Sequence, residues 1–317
     1  MDISILLSLQ SFRNGAGACL TDFLDQMTFF GENSFIAIAL ALLYWCVNKE
    51  LGVYLLMGYC GNRFVNSLLK VTFCVYRPWI RSAAIIPYAD AQASATGYSF
   101  PSGHTANATT VYGGSALRRE FPRMLRVLFF VIVALVALSR MFLGVHTPQD
   151  VLVSFGVGIA VMWCVLKLTQ WLQRRPEKDV TVAVIAVALF ILLGLYAAFK
   201  SYPEDYDSQG KLIVDGAKMA NDTFKGVGWG LAFFLGWALE RRFVRFSTEI
   251  AWTQKIARCV TGALGYYAIV LILLPILKSA VPGYWGTILT CFIQMFYVTY
   301  LFPASLKYWE KPNATGR

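Results

Sequence analysis

Residues 124–150 read MLRVLFFVIVALVALSRMFLGVHTPQD. An apolar run closes on Ser139-Arg140, and the chain then restarts at Thr147-Pro148. Crossing a bilayer core of about 30 Å takes roughly 20 apolar residues, so residues 124–142 predict a membrane-spanning helix. Thr147 as N-cap, Pro148 at the first helical position and Asp150 in the first turn predict the start of another, over 148–172. Two consecutive spans run in opposite directions. Arg140, His146 and Asp150 are therefore predicted to meet at one membrane face.

The whole chain follows the same pattern. Of its 317 residues, 57% are hydrophobic and 15% charged, and the mean hydropathy is +0.55. Soluble domains have roughly a quarter of their residues charged, so this composition indicates an integral membrane protein. Further apolar segments fall at 34–48, 51–73, 103–118, 180–199, 217–239, 256–277 and 285–305, which makes about nine spans in an all-α, polytopic helix bundle. Residues 3–30 alternate short apolar runs with Arg13, Asp22 and Asp25 and read as interfacial helices. Met1-Asp2-Ile3 lacks the basic segment of a cleaved signal peptide, so the start is expected to be retained. The seven cysteines are scattered, without paired metal-ligand spacing, and read as small core residues.

Lys and Arg accumulate in cytoplasmic loops. One set of alternate loops holds Lys49, the arginines at 118, 119, 123 and 126, then 174–178, 241–258 and the tail with Lys307, Lys311 and Arg317; the other set is much poorer. This places the C-terminus in the cytoplasm and the N-terminus outside. It also accounts for most of the net charge of +10 as an inner rim, which argues against nucleic-acid binding.

The chain has only two histidines. His104 closes Pro101-Ser102-Gly103-His104 at the start of the third predicted span, and His146 precedes Asp150 by four residues. Imidazole is the one side chain that titrates near neutrality without large retuning. Ser102 is a good N-cap, and Gly103 lets a ligand approach the first N–H groups of that helix. Lys70 and Arg77 lie at the end of the second span, where Pro78 is predicted to stop the helix. Asp150 on one ring nitrogen of His146 would leave the other as a nucleophile. By helix count all these groups share one face, extracytoplasmic by the charge count, covered by the loop from about 79 to 100.

Lys70, Arg77-Pro78, then Pro101-Ser102-Gly103-His104, then Ser139-Arg140, His146 and Asp150 resemble the tripartite signature of the phosphatidic-acid phosphatase type 2 superfamily. The resemblance implies a catalytic helical core over 34–173, between an interfacial segment at 1–33 and additional helices with a cytoplasmic tail at 174–317. It implies that Lys70, Arg77, Ser102, Gly103 and Arg140 bind the phosphoryl group. His146, oriented by Asp150, attacks phosphorus, and His104 protonates the leaving oxygen. The implied activity is metal-independent hydrolysis of a lipid phosphomonoester or pyrophosphate, of the phosphatidate, sphingoid phosphate or prenyl pyrophosphate class, with no cofactor. Transfer of the phosphoryl group to another acceptor, and a non-catalytic lipid transporter, stay open alongside it. One chain says nothing of oligomeric state.

Other polar groups read differently. Arg63 lies one heptad before Lys70, beside Asn62 and Asn66, and at that depth is either half of a structural ion pair or the floor of the active-site cavity. Asp205-Tyr206-Asp207 reads as a solvated loop. Asn107, Asn221 and Asn313, which begin Asn-x-Thr triplets, receive no function. Gly226, Gly228, Gly230 and Gly236 read as close helix packing.

Overall fold

The computed structural model describes residues 2–93, 95–207 and 209–309. Lys311, Asn313 and Arg317 lie outside the described residues. Among the described residues the structure is all-helical, 81% helix without strands. It is an integral, multi-pass membrane protein, and each of the nine predicted spans lies in helix.

Among the described residues, five helices have the length and apolarity to cross a membrane, or up to six if Ala18–Gly31 and Asn33–Val47 form one bent span. The count of about nine is therefore not reproduced. Lys49–Phe73 and Gly216–Leu239 are 25 and 24 residues long, but their polar residues, among them Arg63 and Lys70 in one and Lys218 and Asp222 in the other, dilute their apolar surface. Gly103–Ala108 and the turns that continue it to Ala116 are too short to span alone.

The described residues cluster into two compact units. The first comprises Met1–Ile36, Gly61–Cys164 and Tyr196–Thr223; the second comprises Ala37–Cys60, Val165–Leu195 and Phe224–Arg317. In the second unit, a Cβ on Gly228 would overlap the Ile288 carbonyl, one on Gly230 the Phe190 ring and one on Gly236 the Thr299 side chain. These glycines serve close packing. Of the cysteines, four are buried and Cys19 and Cys164 exposed; the thiols of Cys46 and Cys259 lie 3.4 Å apart.

Two apolar clusters in the first unit support its polar centre. Leu24, Ala91, Phe142, Leu143 and Val145 pack together beneath the turn that leads to His146. Cys74, Tyr98 and Val214 form the other, flanked by Tyr76 and Tyr202. Tyr98 stacks on both neighbouring rings, with centroids 6.2 Å from Tyr76 and 6.4 Å from Tyr202. Residues 196–223, distant in sequence, thus brace the segments 74–77 and 97–99.

Candidate active site

All the predicted site residues lie in the first unit. Lys70 occupies the last turn of Lys49–Phe73, Arg140 the last turn of Arg123–Phe142, and Asp150 the first turn of Pro148–Arg174. Ser102 caps the helix that Gly103 and His104 begin.

The end of the Lys70 helix departs from the sequence reading. Pro78 does not stop it. The helix ends at Phe73, where Cys74 adopts a left-handed φ of 49°. Lys200 then donates to the carbonyls of Val71 and Thr72, groups that a helix end leaves without internal partners. Arg77 sits in extended backbone, and Pro78 begins a separate turn, Pro78–Arg81.

The spacing from Arg140 to His146 has a local cause. After Phe142 the chain reverses through Gly144, whose φ of +74° suits glycine. The N–H groups of Val145 and His146 then both reach the Arg140 carbonyl, at 3.1 and 3.2 Å. His146 is thereby pinned to the end of the helix that carries Arg140.

Thr147 and Asp150 cap the next helix reciprocally. The Asp150 N–H points to Thr147 Oγ1 at 3.4 Å, and the Thr147 N–H donates to Asp150 Oδ2 at 2.8 Å. The same Oδ2 accepts from Ser99 Oγ at 2.6 Å and faces His146 Nδ1 at 3.3 Å. On the other side of the ring, Nε2 lies 2.9 Å from Arg77 Nη1. Guanidinium can only donate, so Nε2 must be the accepting nitrogen and the ring proton belongs on Nδ1, toward the carboxylate. Burial, with the Arg77 charge next, pushes the His146 imidazole well below its ordinary value; Asp150 opposes this. Burial also brings Arg77 down to about 10, which leaves it charged at neutral pH.

The three cations are occupied to different degrees. Arg77 donates through Nε to Gly97 O at 2.7 Å and through Nη1 to Val145 O at 3.0 Å. Lys70 Nζ donates to Tyr98 O at 2.5 Å. Arg140, only 1% exposed, has no hydrogen-bond partner on any of its three guanidinium nitrogens. A buried charge left so bare costs several kcal/mol unless an anion meets it. His104 lies in the field of Arg140, His146, Arg77 and Lys70, and a Cβ on Gly103 would meet no atom within 4 Å, so the helix start faces open space. The arrangement can hold a tetrahedral oxyanion between cations with an unprotonated imidazole nitrogen beside it.

Other predicted groups fall as follows. Arg63 Nη1 donates to Asn33 Oδ1 at 3.1 Å, and Asn107 Nδ2 reaches the same oxygen at 2.8 Å and Gly31 O at 2.9 Å. Arg63 thus joins a polar network that includes the helix of His104. Asp205 is more than a solvated loop residue, since it accepts from the Tyr76 hydroxyl at 2.6 Å. Ser99 escaped the sequence reading because a serine two positions before Pro101 has no spacing that marks it. Among the described residues no group of three or more His, Cys, Asp or Glu is arranged to hold a metal ion.

Comparison with known proteins places these motifs in a family. The PAP2 superfamily profile matches residues 51–174, and a profile for the transmembrane extension of PAP2 superfamily phosphatases matches residues 224–307. The chain carries a PAP2 superfamily domain and a PAP2 transmembrane extension. It is similar to phosphatidylglycerophosphatase B of Bacillus subtilis, 29% identical over 50% of this chain and 80% of that one. A probable sphingosine-1-phosphate phosphatase of Dictyostelium discoideum is 28% identical over 50% of this chain and 40% of its own. An undecaprenyl-diphosphatase of Sulfolobus acidocaldarius is 26% identical over 40% and 59%. The crystal structure of a transmembrane PAP2-type phosphatidylglycerolphosphate phosphatase from Bacillus subtilis aligns with a TM-score of 0.43 at 25% identity, over 53% of this chain and 85% of that one. These PAP2 relatives are membrane lipid phosphatases, and neither profile covers residues 175–223.

Proposed function

We propose that this chain is a membrane phosphatase that removes a terminal phosphate from a lipid phosphomonoester or diphosphate through a phosphohistidine. The observation that carries the reading is the bare Arg140 guanidinium within the first unit, alongside the His146–Asp150 pair. Phosphate oxygens supply the acceptors that Arg140 lacks, with Lys70, Arg77, Ser102 and the Gly103 N–H completing the cradle. His146 Nε2 gives its lone pair to phosphorus, the bond from phosphorus to the lipid oxygen breaks, and His104 passes a proton to that oxygen. Water then attacks the phosphohistidine, His104 takes the water's proton, the P–N bond breaks, and inorganic phosphate leaves. Asp150 holds the Nδ1 proton of His146 and stabilises the positive charge on the phosphorylated ring. Most of the acceleration comes from charge placement and positioning. The relatives' names support a lipid substrate.

The test uses purified protein in detergent with phosphatidylglycerophosphate, phosphatidate, sphingosine phosphate and undecaprenyl diphosphate as probes. His146→Ala and His104→Ala are each expected to lower phosphate release by about 10³-fold or more. Release that persists undiminished in both variants overturns the mechanism. Substrate flux across vesicles without phosphate release, and indifferent to both substitutions, would identify a transporter instead.

The site is assigned to the extracytoplasmic face and the C-terminus to the cytoplasm, because Lys and Arg crowd the alternate loops. Ala83, exposed on the loop that follows Arg77, provides the check. Ala83→Cys is expected to react with a membrane-impermeant maleimide in intact cells after Cys19 and Cys164, the exposed native thiols, are changed to serine. Labelling only after the cells are opened reverses the orientation.

A further inference from the structure

We infer that Ser99 is a positioning residue that holds the carboxylate of Asp150 in register with His146. The inference rests on the reading of His146 as nucleophile. Ser99 has no exposed surface, and its hydroxyl lies 2.6 Å from Asp150 Oδ2. That contact is the shortest of the three made to this oxygen, ahead of the Thr147 N–H at 2.8 Å and His146 Nδ1 at 3.3 Å. An oxygen shared among three donors has its position set mainly by the two closest. Ser99 and the Thr147 N–H therefore fix where the carboxylate stands, and His146 Nδ1 aligns to it.

The backbone that presents Ser99 is itself held by the groups assigned to phosphate. Arg77 Nε donates to Gly97 O at 2.7 Å, Lys70 Nζ donates to Tyr98 O at 2.5 Å, and the Ser99 N–H reaches Val75 O at 2.8 Å. A further bond runs from the Ser102 N–H to Asp150 O at 3.1 Å. Residues 97–102 thus join the cations on one side to the acid on the other. Gly97 and Tyr98 contribute carbonyls, which no side-chain pattern reveals, whereas Ser99 contributes a hydroxyl that reaches the Asp150 carboxylate. A buried hydroxyl at this position serves more than packing, because a carboxylate in a dry site gains stability from each donor and loses its preferred rotamer when one is removed.

The experiment compares Ser99→Ala, Asp150→Ala, the double variant and His146→Ala in full-length protein, with dioctanoyl phosphatidate in micelles, or whichever of the four lipid probes is turned over fastest. Ser99→Ala is expected to lower kcat about 10- to 100-fold while KM and the inhibition constant of inorganic phosphate, a ground-state ligand of the cradle, stay within about threefold of wild type, because the phosphate cradle is untouched. In the double variant the loss should equal that of Asp150→Ala alone, since Ser99 acts only through the acid. Losses that multiply, or a KM and inorganic-phosphate constant that worsen with kcat, indicate a general packing role and overturn the inference. Wild-type kcat in Ser99→Ala also overturns it. His146→Ala separates the two levels: if that variant is inactive while Ser99→Ala is fully active, only the role of Ser99 fails, and if His146→Ala is active the reading of the site fails.

Discussion

Arg140 and Arg258 are both buried to 1% exposure, and they are treated in opposite ways. Arg258, in the second unit, donates through Nη1 to Trp45 O at 2.8 Å and Ser247 O at 2.7 Å and stands 5.5 Å from the centre of the Phe246 ring. Its charge is absorbed by backbone carbonyls that need a donor and by an aromatic face. Arg140, in the first unit, has bonds to none. A guanidinium that only holds a fold together is saturated by the fold. One that remains without hydrogen bonds, as Arg140 does, keeps its donors free, which is the basis of the ligand role proposed for it. Arg77 stands between the two. Its Nε and Nη1 hold Gly97, Val145 and His146, so it shapes the site as well as charging it.

The strongest way to break this contrast is to replace each arginine by methionine, which keeps much of the volume and removes the charge. Arg140→Met is expected to lower kcat/KM by about 10²- to 10³-fold, as for loss of a transition-state donor. Its ligand-free thermal midpoint should hold or rise, because a desolvated charge has gone. Arg258→Met should do the reverse. The buried Trp45 carbonyl loses its donor at about 1–3 kcal/mol and the Ser247 carbonyl loses a part-buried one, so its midpoint falls while kcat of the folded fraction stays within about threefold. Orthovanadate sharpens the comparison: at 100 times its dissociation constant a ligand of the native state adds about 2.7 kcal/mol. That increment should survive in Arg258→Met and vanish in Arg140→Met. Equal thermal losses in the two variants, with the vanadate increment intact in both, would make Arg140 one more structural cation.

Much of this site is legible in the sequence, for reasons that also mark where legibility stops. Thr147-Pro148-Gln149-Asp150 encodes its own helix start, and the reciprocal cap of Thr147 and Asp150 follows from local chemistry. Arg140 and His146 meet because Gly144 permits the reversal. The end of the Lys70 helix was not readable in this way. It depends on Lys200, over a hundred residues away, and on a left-handed Cys74 that no propensity favours. The distinction between a bare and a saturated arginine was equally hidden, since the partners of Arg258 are carbonyls and every residue has one. The number of spans suffered from the same blindness to context. By sequence 51–73 reads as a span, whereas the polar residues of Lys49–Phe73 keep it out of the candidate spans and bond within the first unit, Arg63 to Asn33 and Asn62 to Thr110.

The smallest expected effect concerns protons, and it tests whether Arg77 belongs on the functional side of the contrast. In the proposed mechanism the attacking form of His146 is the neutral one. Its burial, and the Arg77 charge 2.9 Å from Nε2, disfavour the imidazolium and hold the ring well below its usual value. Activity should therefore persist into mildly acidic solution, with the acid limb of kcat/KM lying below about pH 6.5, the ordinary imidazole value. Lowering the pH through that limb protonates His146 and removes the nucleophile. The sign of the second step follows directly. Arg77→Met takes away a neighbouring positive charge, protonation becomes easier, and the limb should move to higher pH, on top of a reduced maximum. Arg258→Met, with no imidazole beside it, should leave the limb where it was. A limb that does not move in Arg77→Met would mean that burial alone keeps His146 neutral, and would reduce Arg77 to an anchor for Gly97 and Val145.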